Sequence, residues 1–337
     1  MSADSAWTAF LDATRDCSEE LLAAAPDHQS AAESQAYLGR LVSSVLAQTL
    51  DPGTRTAGGI YYPATRIGGQ NPDYRMGMAG IDPHGRYRIS GKFNDAARLA
   101  IGLYTPQPQA ALDMDDYRGV WPHEGARFSL LINGEDADLK TQPGTALLMV
   151  RDLQLRPGGK PAEVTLERLD MAPAPSALPP EQALARAAGT LKALITQFIR
   201  WSNVISRSPN TLIQMPAELD DVVRGDADTR YCTGHFELAA DAALEIEMPE
   251  TDAGYWMIQA TNHWLEPIPG ASRNNATIDP DSRIVIIGAR DPGRPNWLNT
   301  QGRRHGQMLA RFVGASAVTV PRVHKITIRN PPKAAAD

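Results

Sequence analysis

Short β-rich runs separated by turn-forming residues dominate this sequence from about Gly58 onward, and they constrain its fold most strongly. Between residues 58 and 170, apolar and β-branched runs alternate with Gly, Pro, Asn and Asp, and the same pattern returns after residue 209. Strands at such regular intervals are typical of an antiparallel sandwich or barrel. Asn133-Gly134 and the DPHG run at 82–85 are both sequences that tight turns favour.

Helical periodicity marks two further parts of the chain. Within the first 50 residues, Leu38, Leu41 and Val45 recur at helical spacing, and a Pro-Asp break at 26–27 separates two segments. Pro180 suits the first turn of a helix, and an apolar stripe follows it at intervals of three or four residues. We expect these helices to pack against the β regions.

The two patterns together predict an α+β fold that is predominantly antiparallel β. It would contain two β-sandwich or jelly-roll-like modules, an N-terminal helical segment and one linking helix. The expected divisions are an N-terminal helical segment at 1–57, a first β module at 58–170, a linker and helix at 171–208, a C-terminal jelly-roll-like module at 209–330 and a mobile tail at 331–337.

The composition excludes several classes of function. Hydrophobic residues make up 42% and charged residues 21% of 337, which is ordinary for a globular protein. The net charge of -6, with no basic block, argues against a nucleic-acid partner. No apolar run approaches the roughly 20 residues that cross a bilayer, so no membrane partner is expected. Two distant cysteines, Cys17 and Cys232, and a start without a secretory pattern predict a cytoplasmic protein with reduced thiols.

The common catalytic signatures are absent from the sequence. It contains no phosphate-binding P-loop, no GxGxxG, no GxSxG and no HExxH motif, and its seven histidines are scattered without an H-x-H pair. We therefore expect no cofactor and no bound metal, although strands distant in sequence can still assemble a metal site.

The most informative segment runs from residue 282 to 311, where an apolar strand leads into a polar loop. Functional groups are often carried on a loop that a rigid sheet holds in place. The candidate substrate-binding residues of this loop are Arg290, Asp291, Asn296, Trp297 and Arg303. Arginines in an acidic protein suit an anionic or oxygen-rich ligand. The alternative is a structural loop, in which Asn296 bonds the backbone and Trp297 anchors the chain on the core.

Candidate acid and base groups come from two other segments and from this loop. His263 stands at the end of a predicted strand, His305 lies in the loop, and the near-neutral pKa of histidine suits either as a base. Asp73 and Tyr74 follow Asn71-Pro72 in a turn and are candidate acids. The same turn is also explained by side-chain bonds to the nearby backbone alone. Asn71, Asn262 and Arg273 complete the predicted substrate contacts.

Four motifs resemble a known family: NPDY at 71–74, YRISG at 87–91, GYWMIQATNHWLE at 254–266 and DPGRPNWLNTQGRRHGQ at 291–307. They are similar to the bacterial domain-of-unknown-function 1214 family, over roughly residues 58–328. The resemblance implies a jelly-roll-like C-terminal domain paired with an N-terminal β region, and it brings no activity with it. The chain departs from the family pattern at SRNNATI (272–278) and RRHG (303–306).

Two functions from different classes follow. The first is a cofactor-independent acid/base enzyme, of lyase, isomerase or hydratase type, acting on a small oxygenated hydrophobic molecule. His263 or His305 would be its base, Asp73 or Tyr74 its acid, and Arg303 with Asn262 would polarise an oxygen. The second is a non-catalytic module for a carbohydrate- or lipid-like ligand, with Trp297 as a platform. Most tryptophans lie in apolar runs, which favours a closed interior and the enzyme. The N-terminal helices would form either a homodimer interface or a lid.

Overall fold

The computed structural model describes residues 3–50, 59–107, 111–122, 127–171, 178–216, 219 and 225–328. The helices in this part of the chain are α1 (Ala3–Ala24), α2 (His28–Leu50) and α3 (Pro180–Ile205). The strands are β1 (Tyr74–Gly80), β2 (Tyr87–Lys92), β3 (Arg98–Pro106), β4 (Leu112–Val120), β5 (Arg127–Ile132), β6 (Leu147–Leu153), β7 (Glu163–Arg168), β8 (Ile213–Gln214), β9 (Thr229–Glu237), β10 (Ala242–Glu247), β11 (Tyr255–Thr261), β12 (Pro267–Asn274), β13 (Ile284–Gly288), β14 (Trp297–Asn299), β15 (His305–Val313) and β16 (Arg322–Thr327).

The predicted fold class is confirmed: an α+β protein in which antiparallel pairing predominates. The described strands form four sheets, with strand orders β1-β6-β3-β4, β5-β2-β7, β12-β11-β15-β9-β8 and β14-β13-β10-β16. Among the described strands, every pair is antiparallel except β13 with β14. The proposed divisions of the chain into domains stay predictions, and the predicted tail at 331–337 lies outside the described residues.

The first two sheets pack face to face as a sandwich. Period-two alternation along β3 sends Leu99, Ile101 and Leu103 into the core between these sheets, where they meet Ile89 of β2 and Val150 of β6. The residues between them point to the opposite face of the first sheet. That opposite face carries Arg98 and, on β6, Arg151, and it is turned towards the C-terminal half of the protein.

The last two sheets form a second sandwich of the same kind. Its core includes Phe236 of β9, Ile258 of β11, Met308 and Phe312 of β15, and Ile287 of β13. We call the five-stranded sheet of this sandwich, β12-β11-β15-β9-β8, the central sheet, because its other face is covered as well.

Two different structures cover that other face, which we call the inner face of the central sheet. Tyr74 and Leu153 of the first sandwich pack on Tyr255, Met257 and Val313 at one end. At the other end lies α3, which begins at Pro180 as predicted and packs with α1 and α2 around the fully buried Trp264. None of the described helices is long and apolar enough to cross a membrane. The candidate site lies where the first sandwich and α3 meet.

Candidate functional site

The inner face of the central sheet is polar although it is buried. On β15, Gln307, Leu309 and Arg311 alternate with residues of the sandwich core, so all three point to the inner face. Leu309 lies between Gln259 of β11 and Thr233 of β9, whereas Arg311 lies between Met257 and Tyr231, and Gln307 between Thr261 and His235. The face therefore presents polar side chains, interrupted by Leu309 and Met257, beneath α3 and the first sandwich.

Three buried arginines lie at this junction: Arg98, Arg151 and Arg311. Arg98 has carboxylate partners, since its Nη1 lies 2.6 Å from Asp226 Oδ2 and its Nη2 lies 2.7 Å from Asp228 Oδ2. No Asp or Glu of the described residues forms a salt bridge with Arg151 or Arg311. Within the described part of the chain, neither guanidinium group has a carboxylate in direct contact, although the Asp226 carboxylate acts electrostatically on Arg151.

The contacts that Arg311 makes with described residues are with neutral groups. Its Nη2 donates to the Gly69 carbonyl, its Nη1 lies 3.5 Å from the Met257 sulfur, and its guanidinium carbon is 5.7 Å from the centre of the Tyr231 ring. Burial lowers the pKa of Arg311, against the electrostatic effect of the nearby tyrosines, led by Tyr231. Burying a charge without a paired carboxylate costs several kcal/mol, on the order seen for desolvated ions in proteins. Such a residue is a candidate for a functional role.

Arg151 adds a second positive charge to the same region. Its Nη1 donates to the Tyr104 hydroxyl at 2.9 Å, and its Nη2 lies 3.4 Å from the Met149 sulfur. Both Arg151 and Arg311 act electrostatically on Tyr231. Burial raises the pKa of Tyr231, and the charge of Arg311 opposes this rise, so the phenol stays neutral at pH 7. Tyr231 is therefore a neutral phenol near Arg311, and the Asp226 carboxylate acts on it more strongly than Arg151 does.

Two consecutive glycines bring the chain onto the inner face. Gly68 and Gly69 have φ values of +65° and +70°, a region that side-chain-bearing residues rarely adopt. A Cβ atom at Gly69 would lie 2.7 Å from Leu309 Cδ1, and one at Gly68 would lie 2.8 Å from Phe198 Cε1. Only glycine fits here without displacement of a neighbour, and the Gly69 carbonyl is thereby placed against Arg311.

A small cavity of about 30 Å³ lies between α3 and the inner face. Arg311 and Tyr231 are its polar lining. The other lining residues are Gly68, Trp201, Ile205, Met215, Leu219, Leu265 and Leu309. The volume is enough for about two water molecules or a carboxylate group. An apolar wall with one cation and one hydroxyl is the pattern that orients a small ligand with a single anionic end.

Three histidines form a second cluster, near the turn between α1 and α2. The ring centres of His235 and His263 are 6.3 Å apart, and those of His235 and His305 are 5.7 Å apart. His235 Nδ1 lies 3.3 Å from Ser206 Oγ, and His305 Nε2 lies 3.8 Å from Asp27 Oδ2. In the described part of the chain, no group of three or more His, Cys, Asp or Glu residues is arranged to hold a metal ion.

The pKa values of two of these rings are low because the rings are buried. Burial, and then the neighbouring His305, lowers the pKa of His235 to about 4. Burial, and then the neighbouring His235, lowers that of His263 to about 4. Neither ring nitrogen of His263 makes a hydrogen bond of acceptable geometry with a described residue, although the Ala24 backbone lies close enough to raise its pKa slightly. Both imidazoles are neutral at pH 7.

The predicted NPDY turn joins the first sandwich to the central sheet. Asp73 Oδ2 accepts hydrogen bonds from the Tyr255 hydroxyl and from Asn274 Nδ2, both at 2.7 Å. Asn71 Nδ2 donates to the Tyr255 hydroxyl at 2.9 Å, and Asn71 Oδ1 accepts from the Asp73 backbone N–H. The Tyr74 hydroxyl accepts a bond of 3.4 Å from the buried Arg98. The turn thus lies next to the arginine cluster.

The predicted binding residues of the 282–311 loop mostly hold the loop itself. Asn296 Nδ2 donates to the carbonyls of Ser282 and Ile284, and Trp297 Nε1 donates to the Gly288 carbonyl at 2.9 Å. Asp291 Oδ1 accepts from the backbone N–H of a turn glycine two residues later, and Arg290 is exposed. These contacts match the structural alternative stated above.

The remaining predicted residues also make local or anchoring contacts. Arg273 Nη2 donates to the Trp297 carbonyl at 3.2 Å. Asn262 Oδ1 accepts from the backbone N–H of Trp264 and of Glu266, which closes a turn. Arg303 Nε lies 2.8 Å from Glu33 Oε1 of α2, an ion pair whose geometry is not aligned for a hydrogen bond.

The structure does not bring the predicted acids and bases into one pocket. Asp73 contacts Tyr255 at the start of β11, whereas His263 follows the end of that strand and His305 lies beside it. Extended chain rises about 3.3 Å per residue, so the predicted acid Asp73 and the two predicted bases lie at opposite ends of β11, roughly 20 Å apart. Arg311, Tyr231 and Arg151 were missed. One sequence signal could have identified Arg311. Gln307 and Arg311 are polar residues four positions apart in the otherwise apolar run of β15, and the period-two alternation of a strand places both on the same face.

The architecture is that of a protein built from two antiparallel β-sandwiches joined through a buried polar face. Residues 209–327 match the profile of the family described as protein of unknown function (DUF1254). The more specific expectation, the 1214 family, is not confirmed.

Solved structures of similar architecture include an uncharacterized protein from Burkholderia cenocepacia. It is 25% identical, the match covers 96% of this chain and 97% of that one, and the TM-score is 0.87. A Vibrio parahaemolyticus protein is 11% identical, with 87% and 97% covered and a TM-score of 0.46. A search of curated protein sequences finds no match.

Proposed function

We propose that this protein binds a small organic acid in the cavity beneath α3, with Arg311 holding the carboxylate. The observation that carries the proposal is a buried guanidinium, without a carboxylate partner among the described residues, that lines an otherwise apolar cavity. Among the described residues, the hydrogen-bond partner of Arg311 Nη1 is a thioether sulfur, which is a weak acceptor, so a carboxylate oxygen is a better partner for it. Arg151 and the neutral phenol of Tyr231 add positive potential and a donor.

The cavity also favours a particular size and polarity of ligand. Apart from Arg311 and Tyr231 its lining is apolar or glycine, with Trp201, Leu265 and Leu309 among the apolar side chains. A carboxylate group fills this volume, and a short hydrocarbon body would extend along the apolar wall towards the open side of the cavity. A phosphate would leave several oxygens without donors. The ligand is thus the small oxygenated hydrophobic molecule that the sequence predicted, with the oxygen assigned to a carboxylate.

Arg311→Met is expected to weaken acid binding strongly without destabilising the free protein. A charge-assisted bond is worth about 1.5–3 kcal/mol, so losing a two-pronged contact weakens binding on the order of 100-fold. The free energy of unfolding should stay the same or rise, because the substitution removes a buried charge without a partner. Isothermal titration with acetate, propanoate and benzoate, and urea denaturation, measure the two quantities.

The matched control is Arg294→Met, which removes a surface arginine that pairs with Glu245 and lies far from the cavity in the fold. It should bind the acids as the unmodified protein does. Equal affinity of the unmodified protein and Arg311→Met would contradict the proposal, and so would a preference for inorganic phosphate over all three acids.

A proton-transfer enzyme acting on the same acid, of lyase, isomerase or hydratase type, is the second candidate function. It is favoured by Tyr231, a neutral phenol that lines the cavity beside Arg311 and can donate a proton to a carboxylate oxygen as negative charge develops there. Water or hydroxide from the solvent would take the α-hydrogen, because the described residues that line the cavity include no carboxylate and no histidine. Asp73, a predicted acid/base residue, contributes to the electrostatic environment of Arg311. Tyr231 would then take the role that the sequence assigned to Tyr74.

Exchange of the α-hydrogen of the bound acid with deuterium from the solvent, followed by NMR, tests this second function directly. Tyr231→Phe is expected to slow the exchange by about 10²-fold or more, as for loss of a general acid, while acid binding changes by less than about tenfold. If the unmodified protein binds acids but exchanges the α-hydrogen of none of them, the enzyme proposal is wrong and the protein is a binding module.

The predicted homodimer and cytoplasmic location, and the predicted absence of a nucleic-acid partner, stay predictions.

A further inference from the structure

Two buried polar atoms beside the cavity have no hydrogen-bond partner among the described residues. They are Gln259 Oε1 and Thr233 Oγ1, on side chains that are fully buried. Gln259 and Thr233 flank Leu309, which lines the cavity, from the strands on either side of it. Buried polar atoms without partners are rare because each costs about 1–3 kcal/mol. Two of them around one cavity-lining residue point to a ligand that supplies the missing bonds.

The orientation of the Gln259 amide is determined by two carbonyl groups. Its Nε2 donates to the Gly69 carbonyl at 3.1 Å and lies 3.4 Å from the Gln70 carbonyl. A flipped amide would place Oε1 against both carbonyl oxygens, which are acceptors only. Oε1 therefore points away from them, and only a hydrogen-bond donor can satisfy it.

Gln259 and Arg311 also lie close to each other, because both donate to the same Gly69 carbonyl oxygen. Two donors that share one acceptor, each within about 3 Å of it, are at most about 6 Å apart, which limits the separation of Gln259 Nε2 from Arg311 Nη2. The acceptor Oε1 belongs to the same amide group as Nε2. A carboxylate at Arg311 would thus have a neighbouring acceptor at a distance that one or two carbon atoms of a ligand span. Arg311 and Gln259 can therefore bind two different groups of one small molecule, a carboxylate and a hydrogen-bond donor.

We infer that the ligand is a small hydroxy acid, which rests on the proposed binding of a carboxylate at Arg311. A hydroxyl on the second or third carbon donates to Gln259 Oε1, and Thr233 Oγ1 can pair with a further hydroxyl. An amino acid presents donors at the same place, but its ammonium group would need a negative charge. No carboxylate is among the described residues that line the cavity, so the neutral hydroxyl fits better.

Titration calorimetry of the full chain with matched acids tests this inference. The probes are propanoate, 2-hydroxypropanoate, 3-hydroxypropanoate and alanine, and the variants are Gln259→Met and Thr233→Val. One of the two hydroxy acids is expected to bind about tenfold more tightly than propanoate, as one additional hydrogen bond allows. In Gln259→Met this preference should disappear while the affinity for propanoate is retained.

Thr233→Val keeps the test decisive if Gln259→Met does not fold, since it removes only an unpartnered hydroxyl. It should retain the preference for a monohydroxy acid and lose any additional affinity for 2,3-dihydroxypropanoate. Equal binding of propanoate and both hydroxy acids to the unmodified protein would overturn the hydroxyl inference and leave the carboxylate proposal standing. Tighter binding of alanine would overturn it as well. Failure of every acid to bind would overturn the proposed function itself.

Discussion

Asp226→Asn is expected to lower the free energy of unfolding by about 3–5 kcal/mol, the cost of removing one partner of a buried ion pair. Arg98 is 0% exposed, and Asp226 Oδ2 lies 2.6 Å from its Nη1. Asp226 Oδ1 also accepts from the Tyr117 hydroxyl at 2.5 Å. Although burial opposes it, the bonds and charge of Arg98 lower the pKa of Asp226, so the carboxylate is ionised at pH 7. Asparagine keeps the shape and leaves Arg98 without its main counter-charge.

Urea denaturation at pH 7 measures this loss, and Asp228→Asn is the matched control. Asp228 also contacts Arg98 but its side chain is 46% exposed, so its loss should cost less than about 1 kcal/mol. The double variant Arg98→Met/Asp226→Asn should recover part of the stability, because it removes the stranded charge. Equal effects of the two single asparagine variants would show that burial does not decide the strength of this pair.

Acidification is expected to destabilise the protein through His235 and His263. The pKa of each is lowered from 6.5 to about 4 in the folded state, mainly by burial. Below pH 6.5 the unfolded chain therefore binds more protons than the folded one, so stability is complete above that pH and declines as the pH falls towards 4. Each ring should account for a loss of about 2 kcal/mol between pH 7 and pH 5, since one pKa unit is worth about 1.4 kcal/mol.

The variant His263→Gln isolates this effect from the titration of carboxylates. Denaturation with urea at pH 7, 6 and 5 should show a smaller loss of stability on acidification than in the unmodified protein, by about 2 kcal/mol at pH 5. His84→Gln, at an exposed position in a turn, should leave the pH dependence unchanged. An unchanged pH dependence in His263→Gln would mean that the ring is not a neutral, buried group in the folded state.

The candidate site shows where prediction from the sequence succeeded and where it did not. Asn71, Asp73 and Tyr74 were recognised as a polar turn, and they do lie beside the arginine cluster. The bond of Asp73 to Tyr255 joins positions 182 residues apart, and no local pattern predicts such a contact. For Asn296 and Trp297 the local alternative was the better one, because their partners lie within the same loop or strand pair.

The buried arginines show more clearly what a sequence pattern cannot predict. Alternation along β15 places Gln307 and Arg311 on one face, but a single strand does not reveal whether that face meets water or protein. The face that carries Arg311 is covered by Gly68, Gly69 and the helix α3, which are more than 100 residues away from Arg311 in the sequence. An arginine on a solvent-facing strand would be unremarkable, so its significance depends on what lies above it.

The sequence by itself determined the elements: strands from period-two alternation between turn residues, helices from apolar spacing of three and four, and an α3 that begins at Pro180. These patterns are local, since each depends on backbone geometry within a few residues. Only the tertiary structure decided that Arg311 and Tyr231 line one cavity with Gln259 beside it, and that the described histidines do not line that cavity. Burial and electrostatic pairing depend on which distant surfaces meet, and desolvation there turns ordinary polar side chains into a candidate binding site.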